Sequence, residues 1–170
     1  DNVLFSRMPR RRLTGEMIRD TALRVTQKLN SKMGGPGIRL PLPKEITTTL
    51  LKKQWVVDKD PFEHRRRSVY VFARRNLRYP LFEVFDRPDA LVSCAIRNES
   101  TTATQSLALF NSDFSRKSAD DLAKLILEIS GDEPSGWVDA VSWRLLGRAP
   151  SSDEFQLALL GLVGIGHIHN

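Results

Sequence analysis

The last third of the chain repeats one helical pattern, in which a polar residue precedes apolar residues spaced three or four positions apart. In SADDLAKLILEISG the apolar side is Leu122, Leu125, Ile126 and Ile129, and Gly131 marks the end. SGWVDAVSWRLLGR and SSDEFQLALLGLVG follow the same pattern. Because this spacing matches the helical turn and not the alternation of a strand, the sequence predicts a mainly α fold.

Helix starts and stops can also be assigned. Gln105 and Glu154 each follow a capping residue at the spacing of a capping box, and Gly147 is placed as a stop. The short link GRAP makes the last two helices an antiparallel hairpin. The predicted N-caps are Thr102, Ser118, Ser135 and Ser151.

The first half is less regular. TGEMIRDTALRVTQKLN predicts a helix capped by Thr14 and running through Leu29, with Gly34 in MGGPG as its stop. Residues 31–60 are predicted to form a long irregular connection, with at most a short helix over residues 45–53. The chain is therefore expected to be a single helical domain over residues 1–170, with five or six amphipathic helices.

The segment RRRSVYVFARRNLRYP, residues 65–80, contains six arginines around a short apolar run. As a helix from Ser68, it would place Arg67, Arg74 and Arg78 along one side. As a strand, it would alternate valines with aromatic side chains. The helix is favoured because the neighbouring segments are helical.

These arginines have two interpretations. They could bind a sulfate, phosphate or carboxylate group, with Arg67, Arg74, Arg75 and Arg78 as the contacts to an anionic ligand or partner. Alternatively, they form an internal network with nearby acids. Arg65 and Arg66, which would face the apolar side if the helix extended backwards, require such a partner. The network is favoured, because most charge clusters are not sites. The candidate acids are Glu63, Glu83, Asp86 and Asp89.

Composition excludes several kinds of site. The single cysteine, Cys94, rules out an internal disulfide and a multi-cysteine metal site, and it is expected to be a small buried thiol. The histidines His64, His167 and His169 provide no recognisable metal-ligand set. No motif for a haem attachment, a phosphate loop or a catalytic nucleophile is present, so no metal and no cofactor are predicted.

The net charge of +6 permits an anionic partner. Basic clusters beside Tyr70 and Phe72 would suit nucleic acid, but no nucleic-acid-binding motif accompanies them, which weighs against that partner. No apolar run approaches the length of a membrane span, so none is predicted.

Six motifs in order, RRLTGEMIRDTAL, KMGGPG, RRSVYVFARR, FDRPD, TTATQSLALFN and LLGRAPSSDE, resemble a planctomycete-type domain of unknown function. That domain accompanies cytochrome-c-like haem domains in large bacterial proteins. The resemblance extends from Arg11 to Leu160, with Ala103 and Ser106 where the family usually has proline and alanine. It implies that the family pattern continues upstream of Asp1, so that this chain is the C-terminal part of the domain. It also implies an extracytoplasmic bacterial setting, with the haem domain among the partners.

The leading functional hypothesis is a non-catalytic helical module that docks on neighbouring domains of a large exported protein or on an anionic ligand. A second hypothesis is part of an enzyme acting on polysaccharides or their sulfated forms, with acids such as Asp86 or Asp89 in the chemistry. The third is nucleic-acid binding through the basic clusters.

Overall fold

The computed structural model describes Leu4, Ser6, Met8 and residues 11–48, 55–75 and 77–166. The α-helices of this part are α1 (Gly15–Val25), α2 (Lys44–Thr47), α3 (Pro80–Val84), α4 (Ala103–Asn111), α5 (Asp113–Ser130), α6 (Pro134–Leu146) and α7 (Ser152–Gly166). Two 3₁₀ turns, Glu63–Arg65 and Ser68–Tyr70, and three isolated β-bridges complete it, without a named strand in the described ranges. The predicted mainly α fold is confirmed.

The chain separates into two compact units. Unit 1 comprises Asp1–Arg24 and Lys28–Ser112, and unit 2 comprises Val25–Gln27 and Asp113–Asn170. The single domain over residues 1–170 stays a prediction, because compactness does not measure independent folding.

Unit 1 has a small core between short helices and irregular chain. Gly15 lets the start of α1 approach α3: a Cβ there would lie 3.1 Å from both Phe82 Cα and Phe85 Cβ. Ile38 forms a parallel bridge with Val71, in which Phe72 N donates to Ile38 O at 2.8 Å. The buried apolar side chains of this unit are Ile38, Leu40, Val71, Leu77, Leu81, Phe82 and Phe85.

The helix α1 is shorter than predicted. Thr14 Oγ1 accepts a bond from Met17 N at 3.3 Å, as an N-cap does. The helix ends at Val25 instead of running through Leu29, and Gly34 lies beyond it in a loop. The end is closed locally: Gln27 has φ +56°, and Lys28 N and Leu29 N donate to Leu23 O at 2.8 and 3.0 Å. Asn30 N then donates to Arg65 O at 2.9 Å.

The helix predicted from Ser68 is wrong. Residues 68–70 form a 3₁₀ turn, Val71 pairs with Ile38, and Arg74 bridges to Leu77. Long-range pairing has overridden local propensity here. Of the predicted helix over residues 45–53, the structure has Lys44–Thr47, and residues 49–54 lie outside the described part.

Unit 2 consists of three longer helices, in which α6 packs against both α5 and α7. The C-terminal hairpin is confirmed, with Gly147 in the left-handed conformation at φ +69° after α6. Gly131, at φ +61°, likewise ends α5. None of the helices in the described ranges is long and apolar enough to cross a bilayer.

Two of the five predicted N-caps are wrong. The helix α5 begins at Asp113, so Ser118 is inside it and its hydroxyl donates to Phe114 O at 2.8 Å. The helix α6 begins at Pro134, not after Ser135, because proline is favoured in the first turn. The capping boxes that begin α4 at Thr102 and α7 at Ser151 are confirmed.

Candidate functional site

Arg66 is a cation in the interior of unit 1, with only 1% of its surface exposed. Its Nη2 donates to Gly34 O, its Nη1 donates to Pro36 O at 3.3 Å, and Glu63 Oε2 lies 3.4 Å from Nη1. The guanidinium stacks 3.8 Å from the ring centroid of Tyr70. Its Nε has no hydrogen-bond partner among the described residues. One side chain therefore holds the glycine-rich loop against the 3₁₀ turns.

Arg19, also buried, lies on α1 and binds the segment that contains Arg66. Its Nη1 donates to Arg66 O at 2.9 Å and to Ser68 Oγ at 3.0 Å, and its Nη2 donates to His64 O. The adjacent Asp20 accepts bonds from Ser68 N at 2.8 Å and from Ser68 Oγ at 2.6 Å. Two neighbouring residues of α1 thus fix the path of residues 64–68.

The guanidinium of Arg19 is hydrogen-bonded, but its positive charge is only partly balanced by a carboxylate. Burial lowers its pKa, and the nearby Tyr79 and Asp20 oppose that shift. The nearest carboxylate is Asp20, 3.6 Å from Nη1. A guanidinium titrates far above neutral pH, so Arg19 remains a cation inside the protein.

Gln105, at the start of α4, is the centre of a second buried polar cluster. Its Oε1 accepts bonds from Arg12 Nη2 and from Thr102 N, the latter at 3.2 Å. Its Nε2 donates to Val84 O at 3.0 Å. This cluster joins α4, α3 and the segment before α1 by hydrogen bonds between residues of unit 1.

The acids of the enzyme hypothesis are both bound. Asp86 accepts bonds from Ser100 N at 2.8 Å and from Ser100 Oγ, and these bonds lower the pKa of Asp86. A general acid needs a raised pKa, so this environment favours a permanent carboxylate. Asp89 forms an ion pair with Arg78 Nη2 at 3.0 Å.

The four arginines predicted as contacts have different environments. Arg67 and Arg75 are exposed, Arg74 is partly buried beside its bridge to Leu77, and Arg78 pairs with Asp89 and, at 3.9 Å, with Glu83. They share no helix. The internal network is confirmed for Arg66 and Arg78, while ligand contact by the four arginines stays a prediction.

No group of three metal-ligating side chains occurs in the described ranges. His64 Nε2 lies 2.7 Å from Asp58 O, and His167 and His169 are outside those ranges. Cys94, expected to be buried, is exposed, because it lies on the irregular loop between α3 and α4.

Unit 2 has a groove of about 360 Å³ between α6 and α7. Three leucines of its lining are exposed: Leu145 by 54%, Leu146 by 58% and Leu162 by 39%. On the same two helices, but outside the lining, Trp143, Leu157 and Leu160 are exposed by 61%, 69% and 68%. The helix α7 is thus apolar on more than its packed side, which is typical of a helix that another element covers. The apolar lining includes Val138, Val141 and Leu145 from α6, and Ala158 and Leu162 from α7.

The charged lining residue of this groove is Glu154, in the first turn of α7. It accepts two bonds from Arg148, both at 2.8 Å, and a third from Ser151 N at 2.8 Å. These bonds lower the pKa of Glu154 to about 2. The groove is therefore pre-formed at this end, because Arg148 and Glu154 fix the turn between its two helices.

Two features were not predicted, the buried Arg19 and the groove between α6 and α7, although the sequence contains a signal for each. Arg19 lies four residues after Gly15 and three before Ala22, on the side that α1 packs. The signal for the groove is in α7, where leucines occur at positions that cannot all face one side. Such a helix has apolar surface beyond the side that it packs.

A family model described as PSD1, protein of unknown function (DUF1553), matches residues 1–160. The chain belongs to this family. No curated protein and no solved structure matches the sequence. Membership in PSD1 agrees with the resemblance at the level of a domain of unknown function, and it assigns no reaction to the residues described above.

Proposed function

We propose that this PSD1 domain is a non-catalytic interaction module that docks on another protein domain through unit 2. The observation that carries the proposal is the apolar groove between α6 and α7, with three exposed leucines in its lining. We call this region the α6–α7 surface. Its exposed members are Leu145, Leu146 and Leu162.

The energetics favour a covered state. Burying one leucine or similar side chain stabilises by about 1.5–3 kcal/mol relative to leaving it exposed. Large apolar patches on a folded protein mark interaction sites. A groove between two antiparallel helices suits an amphipathic helix of the partner, whose anchors would replace water against Leu145 and Leu162.

The chemistry of unit 1 supports a non-catalytic role. Asp86 and Asp89, the acids considered for catalysis on polysaccharides, are bound by Ser100 and Arg78. The buried arginines Arg19 and Arg66 are bound mainly by main-chain carbonyl groups. These groups have structural partners and present no free acid and base pair.

The proposal includes a setting. We place the domain in a large exported bacterial protein, with neighbouring domains, among them a haem domain, as docking partners. The support is the order of motifs that resembles planctomycete-type domains. Arg67 and Arg75, both exposed, are the arginines best placed to contact an anionic ligand in that setting.

Hydroxyl-radical footprinting of the native protein in the cells that produce it, compared with the purified chain, tests this proposal. We expect Leu145, Leu146 and Leu162 to be labelled in the purified chain and at least about tenfold less in cells, because docking excludes the solvent that carries the radical. Met33, 78% exposed in unit 1, is the internal control and should be labelled equally in both. Equal labelling of the α6–α7 surface in both samples would refute the proposal.

A further inference from the structure

The two units carry opposite net charge. Unit 1 contains 21 Lys and Arg residues against 11 Asp and Glu, whereas unit 2 contains 5 against 9. Their net charges are therefore +10 and −4, which together give the +6 of the chain. The modest total thus conceals a strongly basic unit 1, and charge of this size attracts anionic partners.

The excess is concentrated where residues 63–68 run beside α1. Asn30 N donates to Arg65 O at 2.9 Å, and Ser68 N donates to Asp20 Oδ1 at 2.8 Å, so the two stretches lie side by side. We define the basic seam as residues 19–24, 28–32 and 63–68. It contains seven cationic residues and two carboxylates.

Both carboxylates of the basic seam are already engaged. Asp20 is bonded to Ser68, and Glu63 pairs with Lys32 at 2.7 Å and with Arg66. The remaining cations form no ion pair with any residue that the structure describes, and of these Arg24 and Arg67 are exposed. This set is Arg24, Lys28, Arg65 and Arg67. The seam thus presents positive charge that the fold does not neutralise.

Exposed apolar side chains flank these cations. Phe62, 57% exposed, and Val69, 74% exposed, stand immediately before and after the 63–68 stretch. A polyanion such as nucleic acid or a sulfated glycan would use the cations and leave Val69 in water. Arginine beside exposed apolar groups is instead the composition of a protein interface.

We infer that the basic seam binds an acidic segment of a protein whose carboxylates alternate with apolar side chains. The carboxylates pair with Arg24, Arg67 and their neighbours, and the apolar side chains cover Phe62 and Val69. This surface is in unit 1 and does not depend on the α6–α7 surface, so each proposal can fail alone.

The test is fluorescence anisotropy at low ionic strength with a labelled short peptide that alternates Glu with Leu. A second peptide, which alternates Glu with Ser, keeps the charge and removes the apolar groups. We expect the first peptide to bind more tightly than the second, and the Val69→Ser substitution to remove that difference. Heparin and a single-stranded oligonucleotide, added as competitors at equal charge concentration, should displace the Glu–Leu peptide less well than unlabelled peptide does.

The matched variants reverse the same amount of charge in two places. Arg24→Glu with Arg67→Glu should weaken binding of the Glu–Leu peptide at least about tenfold. Lys117→Glu with Lys124→Glu, two exposed lysines of α5, should change it by less than about twofold, because neither lysine belongs to the basic seam and exposed charges are screened. Circular dichroism melts must show that both double variants remain folded.

Four results would overturn the inference. They are no binding of the Glu–Leu peptide, equal binding of the two peptides, equal weakening by the two double variants, and stronger displacement by heparin or the oligonucleotide. The last result would indicate a general polyanion surface instead of a protein partner.

Discussion

Unit 1 and unit 2 pair their main-chain polar groups in different ways. In unit 2, three helices of 18, 13 and 15 residues satisfy their main chain internally. In unit 1, long stretches lie outside helices, and buried side chains such as Arg19, Arg66 and Gln105 bond to their carbonyl groups. The contrast shows that the two buried arginines of unit 1 stabilise irregular main chain by hydrogen bonds to its carbonyl groups.

The physical reason is that buried carbonyl groups need donors. A guanidinium supplies five N–H donors in a fixed plane, so one arginine can join several carbonyl groups that no helix or sheet would pair. Unit 2 has less need of such donors, of which Arg144 Nε to Val25 O at 2.7 Å is one, and its exposed side chains are available for contact with other molecules.

The sharpest way to break this comparison is to replace the neighbours Arg66 and Arg67 separately by methionine. Arg66→Met leaves the carbonyls of Gly34 and Pro36 without their donor and leaves Glu63 with Lys32 alone, so we expect a loss of about 3–5 kcal/mol in the free energy of unfolding. Arg67→Met changes an exposed side chain and should shift it by less than about 0.5 kcal/mol. Urea denaturation followed by circular dichroism measures both.

Arg66→Lys sharpens the same test. Lysine keeps the charge but has a single nitrogen, which cannot reach the carbonyls of Gly34 and Pro36 together, so it should not restore stability. Equal effects of Arg66→Met and Arg67→Met would show that burial of the guanidinium is not what holds unit 1.

Sequence reasoning succeeded where structure is determined locally. The boxes at Thr102 and Ser151 and the stops at Gly131 and Gly147 depend on neighbours within a few residues, so the pattern could specify them. The segment after Ser68 failed because Ile38 and Asp20, far away in sequence, decide its path. No local pattern contains that information.

The candidate sites divide in the same way. The helix extended backwards from Ser68 predicts a buried, paired side chain for both Arg65 and Arg66. Arg65 is only half-buried and has no ion pair among the described residues, but Arg66 is buried and pairs with Glu63. The main partners of Arg66, the carbonyls of Gly34 and Pro36, could not be predicted, since carbonyl groups have no sequence signature. The basic seam was equally hidden, because α1 and residues 64–68, which carry Arg24 and Arg67, are joined by long-range bonds.

A smaller effect is expected from two glycines of the C-terminal hairpin, where local rules should suffice. Gly147 has φ +69°, which costs a residue with a Cβ about 1–2 kcal/mol, so Gly147→Ala should destabilise by that amount. Gly161 lies inside α7 with no atom within 4 Å of an added Cβ, so Gly161→Ala should stabilise by about 0.5–1 kcal/mol. Thermal melts distinguish the two signs. Loss of stability in both variants would mean that α7 makes closer contacts than its packing in unit 2 indicates.

The smallest effect concerns the capping box of α7, and it depends on pH. The bonds from Arg148 and Ser151 lower the pKa of Glu154 from an ordinary 4.5 to about 2, so the folded chain favours the ionised carboxylate. A lowered pKa means that this stabilisation is complete above pH 4.5, declines as the pH falls, and is lost below about 2. Glu154→Gln removes it at every pH.

The difference in melting temperature between the original chain and Glu154→Gln should therefore be constant near neutral pH and shrink between pH 4.5 and about 2. Glu128→Gln is the control, because Glu128 is exposed on α5 and forms no ion pair with the residues that the structure describes. Its difference should stay flat over the same interval. A melting-temperature difference for Glu154→Gln that does not vary with pH would contradict this prediction. It would show that packing on α6, and not the bonds of its own first turn, stabilises the start of α7.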